Sequence, residues 1–259
     1  MPRSMTAAEL LAGFLVPGLA VLFRGPQLWG RLALLTSATL LLIYVVWLGY
    51  PSANLALGLL ISIHSTGFVH YCKPLMAEEN FRSRQTFTLC SLLAMMLILY
   101  WPARSLVQHH LLTPLSMNGR VIVVQRISPP HGMHRGDCVA YSLPETSEGA
   151  AHEGGAVWFH GGAGLGPILA VGDDHVVFSE NGFSVNGSLH AALPSMPHSG
   201  EWIVPEKHWF IWPNLVISGH GNVSEQRISE TMLELADVSP GQYLGRPFRH
   251  WFWRPQTLP

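Results

Sequence analysis

The sequence predicts a membrane-embedded α-helical region over residues 1–104 and a mainly β, extracytoplasmic domain over residues 105–259. Apolar runs dominate the chain before residue 102, whereas short β-type runs separated by turn residues follow residue 112. The charge divides at the same place. Residues 1–104 contain seven Lys/Arg and three Asp/Glu, a charge of +4, and the remainder contains eight and thirteen, a charge of −5, giving −1 in total. Since no basic stripe exists, the sequence predicts no nucleic-acid partner.

Four apolar runs predict three or four transmembrane helices and a lipid bilayer as partner. A spanning helix needs about 20 apolar residues, a length that the second and third runs reach and the fourth reaches with its flanks. The first run begins with a capping-box pattern, Thr6 to Glu9, and is interrupted at Pro17-Gly18. It therefore spans, kinks or lies at the interface. The runs are roughly Leu10–Phe23, Leu32–Tyr50, Leu55–Cys72 and Phe87–Trp101.

Loop charges predict the orientation. Loops 24–31 and 73–86 carry Lys and Arg, whereas loop 50–54 carries none. The positive-inside rule then places the first two loops in the cytoplasm and everything after Pro102 outside. His64 and His70 lie in the third run, and we expect neutral histidines, with His64 facing the helix bundle.

The second half reads as an all-β domain with one helix. The segment "VVFSENGFSVNG" predicts a hairpin around Asn181-Gly182 and a second turn at Asn186-Gly187. A helix is predicted over Ser229–Ala236, and "PETSEGAAHEGG" (144–155) is typical of a flexible loop. The aromatic segment "FRHWFWRP" (248–255) predicts a closing strand, with contact to a membrane interface or a partner as the alternative.

Fourteen histidines raise the question of a metal site, but their spacing matches no zinc motif. The sequence therefore predicts no metal and no cofactor. The alternative is a site assembled in space from distant histidines, namely His160, His175, His208 and His220.

Four segments, in order, resemble the conserved boxes of type I signal peptidases, the S26 serine peptidase family. "HRGDCVAYSLP" (134–144) resembles the family's RGD box, and "ILAVGDDHVVFSENGFSVNG" (168–187) resembles "VVGLPGD…V…G…V.VNG". "VPEKHWFIWPN" (204–214) resembles "VPEGHYFVLGDN", and "YLGRP" (243–247) resembles "IIGKA". The resemblance implies a twisted, antiparallel, barrel-like β domain outside the bacterial inner membrane, and an exported preprotein or extended peptide as ligand.

The same resemblance implies a Ser nucleophile and a Lys general base, and here the chain departs from the family. The family Ser-Met pair aligns with Leu111-Leu112, and the family lysine aligns with Gly166. In the last box, Asn214 and Ser218 match, but His220, Gly221 and Asn222 replace the Asp, Ser and Arg. A shortened turn would instead make Ser116-Met117 the Ser-Met pair.

Two functional hypotheses follow from the resemblance, and a third applies if the four segments match the family by chance. The first is a catalytically degenerate signal-peptidase-like protein that binds a peptide by strand addition or serves as a subunit in an export or conjugative-transfer assembly. The second is an active peptidase that pairs Ser116 or Ser218 with His160 or His220. The third is an unrelated membrane protein with an extracytoplasmic β domain.

Overall fold

A computed structural model describes residues 6–24, 26–117, 119–126, 132–144, 156–158, 161–215, 218–220, 224–256 and 258. The chain forms two compact units, Met1–His110 and Leu111–Pro259. The first unit is helical and the second is mainly antiparallel β. A helical region followed by an antiparallel β domain is therefore confirmed.

The first apolar run forms two short helices, α1 (Ala7–Leu15) and α2 (Leu19–Arg24). The predicted capping box is confirmed, since the Thr6 hydroxyl accepts from the Glu9 backbone N–H and the Glu9 carboxylate accepts from the Thr6 N–H. Val16 is extended, as the residue before a proline prefers, and Gly18 has a φ of +83°. The predicted interruption at Pro17-Gly18 is thus confirmed, and neither helix has the length of a membrane span.

Three helical stretches in the described part of the chain are long and apolar enough to cross a membrane, namely Gln27–Val46, Pro51–Met76 and Phe81–Leu111. Helix α3 (Gln27–Val46) and helix α4 (Pro51–Cys72) pack as neighbours, and a 3-10 turn, Lys73–Met76, extends α4. Many leucines on these helices remain exposed, for example Leu28, Leu35 and Leu55 at 66% each. Such faces suit a lipid environment rather than water.

The third long stretch begins with α5 (Phe81–Ala94), which Asn80 caps by accepting from the Ser83 N–H. It continues without a break through π-helical residues, helix α6 (Trp101–Leu106) and a second π-helical turn that ends at Leu111. The helix therefore extends about ten residues beyond the apolar run Phe87–Trp101, because polar residues such as Gln108 and His109 continue it.

His64 is fully buried in the helical unit, as expected for a bundle-facing histidine. Its Nε2 lies 3.0 Å from the Gly13 carbonyl oxygen, and its Nδ1 lies 2.8 Å from the Tyr100 hydroxyl. A carbonyl only accepts, so Nε2 carries the proton and Nδ1 accepts from Tyr100. Both ring nitrogens are satisfied with a neutral imidazole, and His64 links α1, α4 and the third stretch.

The β unit is built around a curled, half-barrel, five-stranded sheet in the order β1-β2-β14-β3-β5. Its end strands, β1 and β5, come into contact as the sheet curls. Side chains alternate between faces along a strand, and both faces of β3 are buried, with Val139 and Tyr141 on one face and Ala140 on the other. The strands are β1 (Leu112–Met117), β2 (Arg120–Gln125), β3 (Cys138–Leu143), β4 (Ala156–Trp158), β5 (Gly162–Pro167), β6 (Ala170–Val171), β7 (His175–Ser179), β8 (Gly182–Val185), β9 (Ser188–Ala191), β10 (Gly200–Ile203), β11 (Trp209–Phe210), β12 (Ser218–His220), β13 (Asp237–Val238), β14 (Tyr243–Pro247), β15 (His250–Trp251) and β16 (Arg254–Pro255).

A four-stranded antiparallel sheet, β10-β7-β8-β9, contains the predicted hairpin. Ser179 pairs with Gly182, so the β7–β8 connection is Glu180-Asn181, one residue earlier than predicted. The second turn lies at Asn186-Gly187 as predicted, with φ values of 50° and 85° that suit a two-residue hairpin turn. The predicted helix is confirmed as α7 (Glu225–Ala236), which starts four residues earlier than expected because Ser224 caps it.

Candidate functional site

Ser116 lies in β1, directly opposite Val121 of β2. The strand pair closes at Met117 and Arg120, and Gly119 in the intervening turn has a φ of +73°. The Ser116 side chain is exposed, and its hydroxyl has no hydrogen-bond partner within the described ranges. A serine nucleophile needs a base within about 2.6–3.2 Å, and the described side chains supply none at Ser116.

The position that aligns with the family lysine, Gly166, is buried in β5 opposite Val139. A Cβ atom at Gly166 would lie 2.9 Å from Cγ2 of Ile211, a residue with no exposed surface. Any side chain at this position therefore requires Ile211 to move. Leu111, at the position that aligns with the family serine, ends the helical stretch and is 55% exposed.

The chain has two lysines, Lys73 and Lys207, and neither is placed as a general base in the β unit. Lys207 follows β10 in a loop, has a φ of +67°, and lies 3.5 Å from the Glu206 carboxylate, with both side chains more than 70% exposed. Lys73 belongs to the helical unit and is also exposed. A lysine general base is kept neutral by burial, and both of these side chains are exposed.

Ser218 and His220 both lie on β12, which pairs antiparallel with β4. Their backbone partners are Trp158 and Ala156 respectively, with one residue between them along each strand. His160 and the side chains of Ser218 and His220 lie outside the described part of the structure. A pairing of these three residues therefore stays a prediction.

The Asp174 carboxylate is buried in the β unit, where the residue is 7% exposed, and it accepts several hydrogen bonds. The Arg135 guanidinium donates to it twice, from Nε at 2.8 Å and from a terminal nitrogen at 2.5 Å. The Val171 N–H donates at 2.7 Å and the Asn186 amide donates at 2.9 Å. Burial by itself raises the pKa of Asp174, but the hydrogen bonds from Arg135, Val171 and Asn186 outweigh it, so that the pKa lies below its usual value.

Asp174 joins three of the quoted segments, two through its carboxylate and the third through its backbone carbonyl. Arg135 comes from the RGD box, whereas Asp174 and Asn186 come from the "GDDHVVFSENGFSVNG" stretch. The Asp174 backbone carbonyl also accepts from the Val204 N–H, at the start of the "VPEKHWFIWPN" segment. A second ion pair, from Arg246 to Asp137 at 3.1 Å, joins the RGD box to "YLGRP". All four segments thus meet through ionic or backbone contacts.

His208 and Asp237 form the best-placed acid–base pair in the described part of the β unit, with Nδ1 and Oδ1 2.8 Å apart. A carboxylate on Nδ1 orients an imidazole in hydrolytic triads, but such a site also needs a nucleophile. The half-buried thiol of Cys138 is a poor nucleophile at neutral pH, because burial raises its pKa to about 11.

Of the four histidines considered for a spatial metal site, His175 and His208 have described side chains, and each pairs with a different carboxylate. His175 pairs with Glu201 across β7 and β10, whereas His208 pairs with Asp237 across β11 and β13. Within the described ranges, no group of three or more His, Cys, Asp or Glu side chains comes together. His160 and the His220 side chain lie outside those ranges.

Sequence reasoning named neither the Asp174 cluster nor the His208–Asp237 pair as a functional group of residues. The partners are 39 and 29 residues apart in the chain, and no local spacing joins them. The only available signal was that Arg135, Asp174 and Asn186 each fall within a quoted box.

The five-stranded sheet ends in β1 and β5, and each end strand offers an edge to a ligand of extended conformation. Each has one paired edge, to β2 and to β3, and no strand within the described ranges pairs with its other edge. Unpaired edges present backbone N–H and C=O groups that a further strand can satisfy. Since β1 and β5 come into contact where the sheet curls, a further strand would pair with the part of either edge that lies away from this contact.

A scan of the chain against protein-family models finds no match, and a search of curated proteins finds none. A functional assignment therefore rests on the geometry of the described residues and on the segments quoted above.

Proposed function

We propose that the chain is a membrane-anchored, signal-peptidase-like protein that lacks a working Ser/Lys dyad and binds an extended peptide by strand addition. The observation that carries the proposal is the packing at Gly166. Glycine supplies no amine at this buried position, and even a Cβ atom there would lie 2.9 Å from Cγ2 of Ile211. The partner would be an exported protein segment, or a segment of a neighbouring subunit in an export or conjugative-transfer assembly of the bacterial inner membrane.

Two further features support the proposal. The four quoted segments meet around Asp174 and Asp137, as expected if they are parts of one structural core rather than chance matches. The open edges of β1 and β5 then supply backbone groups for a peptide, which needs no catalytic residue.

Loss of catalysis is tested by treating the full-length protein in detergent with a serine-directed fluorophosphonate and with a preprotein substrate. We expect neither a covalent adduct nor cleavage. Ser116→Ala and Ser218→Ala should match the parent protein in both assays. The alternative function, an active peptidase using Ser116 or Ser218 with His160 or His220, predicts an adduct that disappears in one of these two variants.

Peptide binding is tested with a fluorescent peptide that spans the cleavage junction of a secreted preprotein. A strand added to one edge directs alternate N–H groups toward that edge. N-methylation of one alternate set should therefore weaken binding by at least about tenfold, because each lost hydrogen bond contributes roughly 1 kcal/mol. N-methylation of the other set is the matched control and should change binding little. Equal loss with both sets would contradict strand addition.

The position of the peptide is tested by photocrosslinking. A benzophenone amino acid in place of Ser116, the exposed residue of β1, should crosslink the bound peptide. The same group in place of Leu189, which is 83% exposed on β9, tests the edge of the four-stranded sheet and should not crosslink. Crosslinking at Leu189 but not at Ser116 would place the peptide elsewhere.

A further inference from the structure

The helical unit contains a cavity of about 610 Å³ between α4 and α5, near the connection that joins them. On α4 and the 3-10 turn that extends it, the cavity is lined by Thr66, Val69, His70 and Lys73, which recur at spacings of three and four and so share one helix face. On α5 it is lined by Arg84, Phe87 and Thr88, which share a face in the same way. The cavity is therefore a groove between two helix faces.

The basic residues of the groove lie at one of its ends. Lys73 and Arg84 lie at the end nearest the connection, whereas Thr66 and Thr88 lie deeper along their helices. From Lys73 to Thr66 is seven residues, or about 10 Å of helix. Apolar side chains such as Val69 and Phe87 line the wall between these ends. A ligand that fits has an anionic end and an apolar body.

The two cations remain able to bind an anion. Arg84 donates from Nε to the Met76 carbonyl at 3.1 Å and from a terminal nitrogen to the Ala77 carbonyl at 2.7 Å, which fixes the guanidinium but uses only part of its five donors. Lys73 is exposed beside the groove. Glu78 and Glu79 belong to the same connection but do not line the cavity.

We propose that this groove binds an acidic glycerophospholipid, with the phosphate at Lys73 and Arg84 and the glycerol and upper acyl chain between α4 and α5. The flanking helices are long and apolar enough to cross a bilayer, so the groove would open where lipid headgroups lie. Basic pockets between membrane helices suit anionic headgroups, and arginine and lysine bind phosphate through charge-assisted hydrogen bonds. The site is independent of peptide binding by the β unit.

The test measures lipid retention by the full-length protein. The protein is taken from phosphatidylcholine bilayers doped with phosphatidylglycerol, released gently into detergent, and examined by native mass spectrometry. We expect preferential retention of phosphatidylglycerol. Lys73→Gln should reduce that preference about fivefold, the effect expected of one cation near a headgroup. Lys73 is chosen because its exposed side chain can be replaced without opening a void.

Arg82→Gln is the matched control, because Arg82 is exposed in the same region and does not line the cavity. It should retain the parent preference. Val69→Trp, which fills the groove and leaves every charge in place, should reduce retention of the acidic lipid as well. Glycerol 3-phosphate in the buffer should not compete.

Three outcomes would overturn the proposal. Equal retention of the two lipids by the parent protein would show that no acidic headgroup is selected. An equal loss in Arg82→Gln and Lys73→Gln would show general attraction to an anionic surface. Competition by glycerol 3-phosphate would identify a site for a soluble phosphate instead.

Discussion

At the scale of single residues, the stability of the β unit depends most visibly on the Asp174 carboxylate. It is nearly buried, and it accepts from Arg135, Val171 and Asn186 at once. Hydrogen bonds to a charged group each contribute about 1.5–3 kcal/mol, and removing one partner of a buried pair leaves the other uncompensated. Asp174 is therefore a structural centre rather than a catalytic acid, because its lowered pKa keeps it ionised at neutral pH.

Asp174→Asn should lower the free energy of unfolding of the β unit by about 2 kcal/mol or more at neutral pH, because it removes a charge that binds Arg135. Since folding lowers the pKa of Asp174, its contribution is complete above the unfolded value of about 4. It is lost as the pH falls through the folded pKa. The difference between the parent protein and the variant should therefore shrink in strong acid.

Denaturation of the full-length protein in detergent, followed by tryptophan fluorescence at several pH values, measures that difference. Asp173→Asn is the matched control, because Asp173 is adjacent and exposed, and asparagine tolerates its φ of 68°. A constant difference between Asp174→Asn and the parent protein down to strong acid would contradict the assigned ionisation.

At the scale of elements, the break between α1 and α2 explains why the first apolar run does not form a single helix of spanning length. Gly18 has a φ of +83°, and a Cβ there would lie 2.8 Å from the Ala33 carbonyl carbon on α3. The turn thus needs a glycine for its backbone conformation and for the close approach of α3.

Gly18→Ala should destabilise the helical unit by about 1–3 kcal/mol, because it combines backbone strain with a clash against backbone atoms. Gly58→Ala on α4 is the matched control, since a Cβ at Gly58 meets nothing within 4 Å and alanine favours the helix. Thermal denaturation in detergent, followed by size-exclusion chromatography, compares the two. Equal melting temperatures would show that the turn can adopt another conformation.

At the scale of the whole molecule, the sequence predicted what local patterns determine. The Thr6–Glu9 cap, the Pro17-Gly18 break and the Asn186-Gly187 turn each depend on neighbouring residues, and all three occur. Pairings between distant segments were not predictable. Nothing local indicates that β14 inserts between β2 and β3, or that Ile211 occupies the space beside Gly166. The candidate site follows from such pairings, so its residues could be named only through the resemblance.

The charge distribution over the two units leads to a prediction of membrane topology. Segments 24–31 and 73–86, which include the ends of the helices, carry most of the basic residues of the helical unit, and three helical stretches are long enough to span. We expect both segments on the cytoplasmic side and the β unit on the opposite side, because basic residues that flank membrane helices are retained in the cytoplasm.

Single cysteines test this topology in a background where the three native cysteines are replaced by alanine. A membrane-impermeant maleimide should label Leu189→Cys in intact spheroplasts, because Leu189 is 83% exposed on the β unit. It should label Glu79→Cys, in the exposed 73–86 connection, only after the membrane is permeabilised. Elution at the parent volume in size-exclusion chromatography controls for folding. Labelling of Glu79→Cys in intact spheroplasts, with Leu189→Cys protected, would show that the orientation is the reverse and that the β unit lies in the cytoplasm. A peptide that has already crossed the membrane could not then reach β1 and β5.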